Sequence, residues 1–454
     1  MRVLNAAGEM WTKMVLQTES MRGLVDKERG LVSRDIFLSE EIYQQELEQI
    51  FARSWLFVGH ESQIQQPGDY FLSRMGEEAV IVTRDQNRRV HVFLNSCRHR
   101  GNRVCRYDWG NTSAFTCTFH GWTYNLEGKI TALPFHDGGY AAMPKEEWGL
   151  HEARCAVFEG SIWACWDDDA PDFIDYLGGC ELYLSGFLAS VDGTPGGAEV
   201  LGGVQKWRFP SNWKVPCPDT DRTHGWITHK SVMEVRIGPS GEGRRDTRDR
   251  GKMYTVNFPH GHTMSMSLPK EDAEPYKGSW AQTPIVREYL EHAYQERKKR
   301  LGRLASIESS PAIFPNMGTQ YGQPWIIRIM HPQGPTMTEI WTYFFVDRNA
   351  PQEVKETIKD YYSRYTGPAG MTQQDDMENW HWSTEASKGT ISKRLPYNYT
   401  LFLDEQPLHG PSTFDLPGNF TNILSDENHR VYYQRWAEMM SARSWDDLRL
   451  TPVK

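Results

Sequence analysis

The sequence predicts an α+β protein in which a small antiparallel β domain precedes a larger domain of mixed antiparallel sheet and helix. Three observations support this prediction. The chain has 454 residues, which is too long for one small hydrophobic core and suits two domains. Residues 55–166 contain short apolar stretches separated by turn signals. From about residue 200, strand-like runs alternate with longer helical patterns, as in α+β architecture.

Residues 1–54 predict an N-terminal helical segment that packs on the larger domain. Ser39 can cap its helix, and Glu40 and Glu41 suit the first turn. Apolar side chains then recur at helical spacing, at Tyr43, Leu47, Ile50 and Phe51.

Residues 55–166 predict the β domain. The runs WLFVGH, AVIVT and VHVFLN are typical of strands, and PGD and DQNRR are typical of the turns between them. The same pattern continues through 124–133, with a turn at Gly128, and through VFEGSIWACW, with a turn at Glu159–Gly160.

Residues 167–454 predict the larger domain. WIIRIMH and TEIWTYFFV are strand-like, and residues 351–365 and 427–440 show helical periodicity. The glycine- and charge-rich stretch GPSGEGRRDTRDRG (238–251) predicts a surface loop.

Composition excludes several classes of protein. A net charge of -9 argues against non-specific nucleic-acid binding. Neither a membrane-spanning apolar run nor a signal-peptide core is present, which predicts a cytoplasmic protein.

The seven cysteines are odd in number and scattered, so we expect reduced thiols at Cys105, Cys155, Cys165, Cys180 and Cys217. The 17 Trp, 20 Tyr and 19 Phe are mostly core, but some could line a pocket for flat apolar molecules.

Cys97 and Cys117 differ from the other cysteines because each has a nearby histidine. The chain reads Cys97-Arg-His99 and, further on, Cys117-Thr-Phe-His120. A [2Fe–2S] cluster of the Rieske type needs two thiolates on one iron and two imidazoles on the other. Structural zinc also accepts two Cys and two His, but zinc sites usually pair like with like in each limb. The pattern therefore favours the cluster.

Four arginines crowd the first loop and could either dock an acidic ferredoxin or pair with acidic groups of this chain or a neighbouring subunit: Arg98, Arg100, Arg103 and Arg106.

A second set of metal ligands follows in NWKVPCPDTDRTHGWITH. Pro218 suits the first turn of a helix, on which Asp221 and His224 would share a face. His224 and His229 lie about 140° apart on a regular helix, so convergence on one metal requires a bulge or helix end between them. Two histidines need a carboxylate to hold Fe(II) with open positions for O₂, and Asp375 and Asp376 are candidates.

These motifs resemble those of the large (alpha) subunits of Rieske non-haem iron aromatic ring-hydroxylating dioxygenases, of the biphenyl, naphthalene and polycyclic-aromatic type. The resemblance extends from GHESQIQQPGDYF through CRHRGNRVCR, FTCTFHGWTY, MHPQGP and QQDDMENW to YYQRWAEMMSARSWDDL. It implies a Rieske domain and a helix-grip-like catalytic domain. It also implies that Asp376 is the carboxylate ligand, with Asp375 as the alternative. Asp221 would link an iron-ligating His to a Rieske-ligating His of the adjacent subunit. The implied partners are a small beta subunit, usually three of each, and a ferredoxin or reductase that carries electrons from NADH.

The chain departs from the family pattern near the bridging Asp. Related chains have a stretch two residues longer after NWK, and a Tyr before the first His, where this chain has Cys217-Pro218-Asp219 and Thr223. Asp219 is therefore an alternative to Asp221 as the bridge. The resemblance places Arg222 at the substrate pocket, and Cys217 and Gly225 are further candidates. Arg222 could bind an aromatic carboxylate through two hydrogen bonds, or it could neutralise a neighbouring Asp.

The predicted function is addition of both atoms of O₂ to an aromatic ring, giving a cis-dihydrodiol. The substrate would be a mono- or polycyclic aromatic hydrocarbon or an aromatic carboxylate. A Rieske mononuclear-iron monooxygenase or demethylase is the alternative. A Rieske electron carrier is a weaker one, because the chain is long and has a second iron motif.

Overall fold

The structure is a computed structural model that describes residues 21–140, 142–193, 197–217, 224, 227–229, 252–268, 283–320, 325–405 and 416–448. Its helices are α1 (Glu40–Glu46), α2 (His136–Gly139), α3 (Phe173–Leu177), α4 (Glu181–Leu188), α5 (Pro284–Leu301), α6 (Gln352–Thr366), α7 (Gln373–Ser387) and α8 (Glu427–Ser441). The π-helical turn Leu47–Phe51 continues α1. Short 3₁₀ helices occupy Arg34–Phe37, Glu61–Gln63, Lys145–Trp148, Pro259–Gly261, Gly302–Ser306, Ser392–Arg394 and Trp445–Asp447.

The predicted N-terminal helix is confirmed. The Ser39 hydroxyl accepts a hydrogen bond from the backbone N–H of Ile42 at 3.2 Å, which caps α1 as expected. Its apolar face, including Tyr43, Ile50 and Phe51, is buried. The predicted loop 238–251 lies outside the described residues.

The first half of the chain is built from short strands. They are β1 (Val25–Asp26), β2 (Leu31–Val32), β3 (Leu56–His60), β4 (Asp69–Met75), β5 (Glu78–Arg84), β6 (Val90–Leu94), β7 (Trp109–Asn111), β8 (Ala114–Thr116), β9 (Thr123–Asn125), β10 (Ile130–Ala132), β11 (Arg154–Phe158) and β12 (Ser161–Cys165). Antiparallel pairing gives three sheets, with strand orders β11-β12-β3, β6-β5-β4-β7 and β10-β9-β8. The predicted antiparallel β region is thus confirmed.

The predicted turn at Glu159–Gly160 joins β11 to β12. Gly160 has φ +79°, a left-handed conformation that favours glycine. A Cβ at this position would lie 2.6 Å from Nε2 of His60, so the turn also needs the missing side chain.

The second half carries longer strands and the four longest helices, α5 to α8. Its strands are β13 (Ala198–Phe209), β14 (Lys252–Asn257), β15 (Thr263–Leu268), β16 (Glu308–Ala312), β17 (Met317–Gln320), β18 (Ile326–Pro332), β19 (Thr338–Asp347), β20 (Tyr397–Asn398) and β21 (Asn419–Asn422). They form two four-stranded antiparallel sheets, β13-β19-β18-β17 and β16-β15-β14-β21, and β20 joins β1 and β2. The expected α+β class is confirmed, as are the predicted strands β18 and β19 and helices α6 and α8.

Three hydrophobic clusters lie inside the described chain. The largest joins the two four-stranded sheets of the second half to helices α3, α4, α5 and α6. A second joins the N-terminal segment to α8 and includes Phe37, Trp213 and Trp436. The third surrounds Cys97 and Cys117. No disulfide joins any of the seven cysteines, which include the five expected to be reduced thiols. Among the described residues, no helix combines the length and the apolar character needed to span a bilayer.

Candidate metal centres

The two Cys–His loops have the same backbone construction. The N–H of Gly101 donates to the Cys97 carbonyl and that of Gly121 donates to the Cys117 carbonyl, both at 2.9 Å. Both glycines have positive φ, +71° and +74°, which a residue with a side chain adopts at a cost. Each loop is thus a tight turn that projects one thiol and one imidazole to the same side.

The loops bring the four predicted cluster residues together. The rings of His99 and His120 are 4.5 Å apart between centroids, and both thiols are buried. The Tyr124 hydroxyl lies 3.4 Å from Cys97 Sγ, and Asn102 Nδ2 lies 3.5 Å from Cys117 Sγ. Hydrogen bonds to cluster sulfurs are among the features that set the reduction potential.

Aromatic residues surround His99. The ring of Trp122 stacks on it at 5.1 Å with an interplanar angle of 5°. The Tyr140 hydroxyl lies 3.5 Å from His99 Nε2. Sequence reasoning missed the contacts of Asn102, Trp122, Tyr124 and Tyr140, although the first three stand within five residues of a predicted ligand. Their closeness in sequence to a predicted ligand was the signal that could have identified these contacts.

The donor atoms of this site fit a two-iron cluster. His99 Nδ1 is buried without a hydrogen-bond partner among the described residues, a costly state that a metal bond relieves. Four ligands of one tetrahedral zinc would place their donor atoms within about 4 Å of one another. In the described chain, the set of three donor residues with atoms within 4.8 Å of one another lies elsewhere. The two thiols and two imidazoles of the Cys–His loops are the ligand set of a Rieske [2Fe–2S] cluster, with the thiols on one iron and the imidazoles on the other.

The set of three donor residues with atoms within 4.8 Å of one another is His224, His229 and Asp376. Asp376 Oδ1 lies 3.6 Å from His224 Nε2 and 3.2 Å from His229 Nε2. The histidine rings are 5.5 Å apart between centroids. The three side chains are partly buried, which leaves access for a small ligand. Two imidazoles and one carboxylate facing one point form the donor set that Fe(II) prefers when open positions are needed.

Asp375 contacts the same site in a different way. Its Oδ2 lies 3.3 Å from His229 Nδ1, the ring nitrogen opposite the one that faces Asp376. Burial of the His229 imidazole acts to lower its pKa. The hydrogen bond and negative charge of Asp376 outweigh burial, and the pKa is raised above its usual value. His229 thus lies between two carboxylates. From the sequence, Asp375 and Asp376 were considered only as alternative metal ligands.

Two elements position these side chains. Asp375 and Asp376 lie in the first turn of α7, where the helix dipole favours acidic groups. After His224 the chain makes a turn in which its carbonyl accepts from the N–H groups of Ile227 and Thr228. The bulge or helix end expected between the two histidines stays a prediction, because residues 225–226 lie outside the described residues.

Several predicted site residues lie outside the described residues, namely Pro218, Asp219, Asp221, Arg222, Thr223 and Gly225. Cys217 is described and buried, and its thiol donates to the Trp213 carbonyl at 3.0 Å. Burial raises the pKa of this thiol. Its contribution to a substrate pocket stays a prediction.

A Cys–His loop pair and a His–His–Asp site within one α+β chain define the class of non-haem iron oxygenases that have their own iron–sulfur cluster. Two family models match the chain. Residues 54–145 match the Rieske [2Fe-2S] domain, and residues 201–441 match the catalytic domain of the ring-hydroxylating alpha subunit.

Whole-chain relatives agree with these matches. The alpha subunit of biphenyl dioxygenase from Paraburkholderia xenovorans (strain LB400) is 34% identical over 95% of each chain. The alpha subunit of benzene 1,2-dioxygenase from Pseudomonas putida is 34% identical over 96% of each chain. A naphthalene 1,2-dioxygenase bound to phenanthrene superposes with a TM-score of 0.84 at 28% identity, covering 94% of this chain and 95% of that one. The chain belongs to the alpha subunits of aromatic ring-hydroxylating dioxygenases. Its cofactors are a Rieske [2Fe–2S] cluster and a mononuclear iron, and O₂ is its co-substrate.

A more distant solved structure shares the fold alone. A quaternary ammonium Rieske monooxygenase superposes with a TM-score of 0.66 at 15% identity. Because a monooxygenase shares this fold, the fold does not distinguish the two reactions, and product analysis is needed to separate them.

Proposed function

We propose that this chain is a terminal oxygenase subunit that adds both atoms of O₂ to adjacent carbons of an aromatic ring, giving a cis-dihydrodiol. One observation supports this most directly: His224, His229 and Asp376 offer donor atoms within 4.8 Å of one another in a chain that also has two Cys–His loops. When bound, the cluster supplies electrons and the mononuclear iron supplies the site of O₂ activation.

The proposed cluster ligands are Cys97, His99, Cys117 and His120. The proposed iron ligands are His224, His229 and Asp376. Asp375 orients His229 by accepting a hydrogen bond from its Nδ1–H, because a carboxylate on the outer nitrogen fixes the tautomer and ring direction of a metal-ligating histidine.

Asp221 is the proposed link between centres in adjacent subunits. A carboxylate that accepts hydrogen bonds from His224 of its own chain and from a cluster histidine of the next chain would align the two imidazoles. This role requires a ring of subunits, and we propose three large and three small subunits. A ferredoxin, supplied with electrons from NADH by a reductase, is the proposed donor, and the arginines at 98, 100, 103 and 106 are its candidate docking surface.

The proposed substrate is a mono- or polycyclic aromatic hydrocarbon. The names of the relatives support this choice, since they include biphenyl, benzene and naphthalene dioxygenases. An aromatic carboxylate is the second candidate because Arg222 could bind its two oxygens. Cys217, Arg222 and Gly225 are the proposed pocket residues.

The domain division also remains a proposal, with an N-terminal segment at 1–54, a Rieske domain at 55–166 and a catalytic domain at 167–454. The family matches at 54–145 and 201–441 are compatible with it. The cytoplasmic location stays a prediction.

Labelled oxygen tests the reaction. The reconstituted system, with NADH, reductase and ferredoxin, is supplied with ¹⁸O₂ and an aromatic hydrocarbon, and the product is analysed by mass spectrometry. We expect both oxygen atoms of the diol to carry the label and O₂ uptake to depend on substrate. A product with one labelled atom, the other atom leaving as water, would make the chain a monooxygenase.

A matched pair of substrates tests the role of Arg222. The variant Arg222→Met should lose kcat/KM on an aromatic carboxylate and keep it on the neutral hydrocarbon with the same ring. An equal loss on both substrates would show that Arg222 supports the site without binding a carboxylate.

A further inference from the structure

Residues 211–217 follow strand β13, and six residues outside the described chain separate them from His224. This segment has no helix or strand, yet all of its residues except Val215 are buried. Buried backbone and polar groups outside regular structure must find hydrogen-bond partners in other elements. The side chains that supply those partners therefore determine where the segment lies.

One set of partners belongs to helix α7, which carries Asp376. The Thr384 hydroxyl accepts from the N–H of Asn212 at 3.2 Å and lies 3.1 Å from the Ser211 hydroxyl. The Ser211 hydroxyl also donates to the Trp380 carbonyl at 3.1 Å. The segment that leads to the two histidines is thus tied directly to the helix that bears the carboxylate.

A second set is a buried ion pair, and Pro335, Thr338 and Tyr433 supply further hydrogen bonds to the segment. Lys214 Nζ lies 2.6 Å from Glu46 Oε1, and the two side chains are 0% and 1% exposed. The indole N–H groups of Trp213 and Trp436 donate to the two oxygens of Glu46 at 2.9 and 2.7 Å. The aromatic faces of Trp213 and Phe37 lie 5.1 and 5.5 Å from Nζ.

Stability alone does not explain such a pair. The desolvation of two buried charges offsets most of their attraction, and apolar replacements of similar volume are often as stable. What the pair does impose is a single arrangement, because any displacement of Lys214 from Glu46 would leave a charge buried without its partner.

We infer that the Glu46–Lys214 pair is a positioning device for the mononuclear iron site. It holds residues 211–217 in place between α1, α7 and α8, so that Thr384 sets the separation between the histidine turn and Asp376. This inference rests on the ligand assignment proposed above. Glu46, Lys214 and Thr384 touch neither metal nor substrate and act through the ligands.

The test measures iron affinity in the full-length protein with its cluster intact. Mononuclear iron is removed, Fe(II) is titrated back anaerobically, and the visible absorption of the cluster serves as an internal control. The main variant is Glu46→Gln/Lys214→Met, which removes both charges and keeps the side-chain volumes. We expect its Kd for Fe(II) to rise about 10-fold or more, the range typical when groups supporting metal ligands are lost, with cluster absorption unchanged.

A second pair of variants tests the contact with α7. Thr384→Val removes the hydroxyl with little change in shape and should weaken Fe(II) binding, whereas Thr384→Ser keeps the hydroxyl and should restore it. Lys355→Met is the matched control because Lys355 forms an ion pair with Glu199, 2.7 Å away, in another part of the same domain. It should leave the Kd for Fe(II) unchanged.

An unchanged Kd in the double variant and in Thr384→Val would overturn the inference, as would an equal loss of affinity in Lys355→Met. A His224→Ala variant separates this result from failure of the proposed function. If that variant retains mononuclear iron, the ligand assignment itself is wrong. If it loses iron while the double variant binds normally, only the positioning role fails.

Discussion

Replacing Asp375 and Asp376 one at a time should have unequal effects on mononuclear iron. Asp376 Oδ1 faces Nε2 of both histidines, whereas Asp375 Oδ2 contacts only the outer nitrogen of His229. Asp376→Asn removes a ligand, so we expect the iron to be lost on desalting. Asp375→Asn removes an orienting carboxylate, a change that typically costs 10–100-fold in metal affinity.

The geometry places Asp375→Asn near the lower end of that range. Its 3.3 Å contact is longer than the roughly 2.7–2.9 Å of a strong charge-assisted hydrogen bond, and the Asp375 side chain is 26% exposed. We therefore expect Kd for Fe(II) to rise about 10-fold, or about 1.4 kcal/mol.

The assay is the ratio of iron to acid-labile sulfide in the purified protein. A fully loaded chain has about three irons and two sulfides, and loss of the mononuclear iron leaves about two of each. Glu378→Gln is the control, since Glu378 lies on the same helix but accepts from Trp382 at 2.6 Å, away from the site. Iron retained in Asp376→Asn and lost in Asp375→Asn would refute the assignment and make Asp375 the ligand.

Three further changes should give distinct results. Asp221→Ala should leave the visible spectrum of the cluster intact while substrate-dependent O₂ uptake collapses, and full activity would move the bridging role elsewhere. Tyr124→Phe removes a hydrogen bond to Cys97 Sγ and should lower the cluster's reduction potential by about 40 mV in a redox titration, the equivalent of about 1 kcal/mol for one electron. The hydrogen bond that His91 donates to the Glu152 carboxylate raises the pKa of His91. Protonated His91 therefore stabilises the fold below its unfolded pKa of about 6.5, and this contribution is lost as pH rises through the folded pKa. His91→Gln should therefore lower the urea midpoint at about pH 5.5 and change it little at about pH 9, and an equal loss at both would exclude a charge effect.

Much of the fold could be predicted because its signals are local. The Ser39 cap, the turn at Glu159–Gly160 and the periodicity of α6 each lie within one short window of sequence. Strand β13 was missed for a physical reason: Gly202 and Gly203, both with positive φ, interrupt its alternation where the register shifts between Val200 and Val204. Helix α5 was also missed, although its buried residues Val286, Leu290 and Ala293 are spaced at three and four positions.

The two metal centres differ in how far sequence reasoning could describe them. The cluster loops are closed by their own backbone hydrogen bonds, so the Cys–His spacing nearly determines the geometry. The iron site instead joins a turn at 224–229 to a helix about 150 residues later, and His229 meets Asp375 and Asp376 only through tertiary packing. No periodicity links Ser211 to Thr384 or Glu46 to Lys214, because each pair lies more than 160 residues apart in sequence.

This difference has a consequence for how the protein keeps its iron. A ligand set closed by local turns depends mainly on residues near it in sequence, so distant substitutions should affect it little. A set of metal ligands on elements that are remote in sequence depends on every contact that holds those elements in position. Such contacts include buried groups that never approach the metal. By the inference above, the buried Glu46–Lys214 pair and the Thr384 hydroxyl are such groups, since both contact residues 211–217. The chain thus holds its histidine turn and carboxylate helix together with polar contacts that an apolar core, which tolerates sliding and repacking, would not supply.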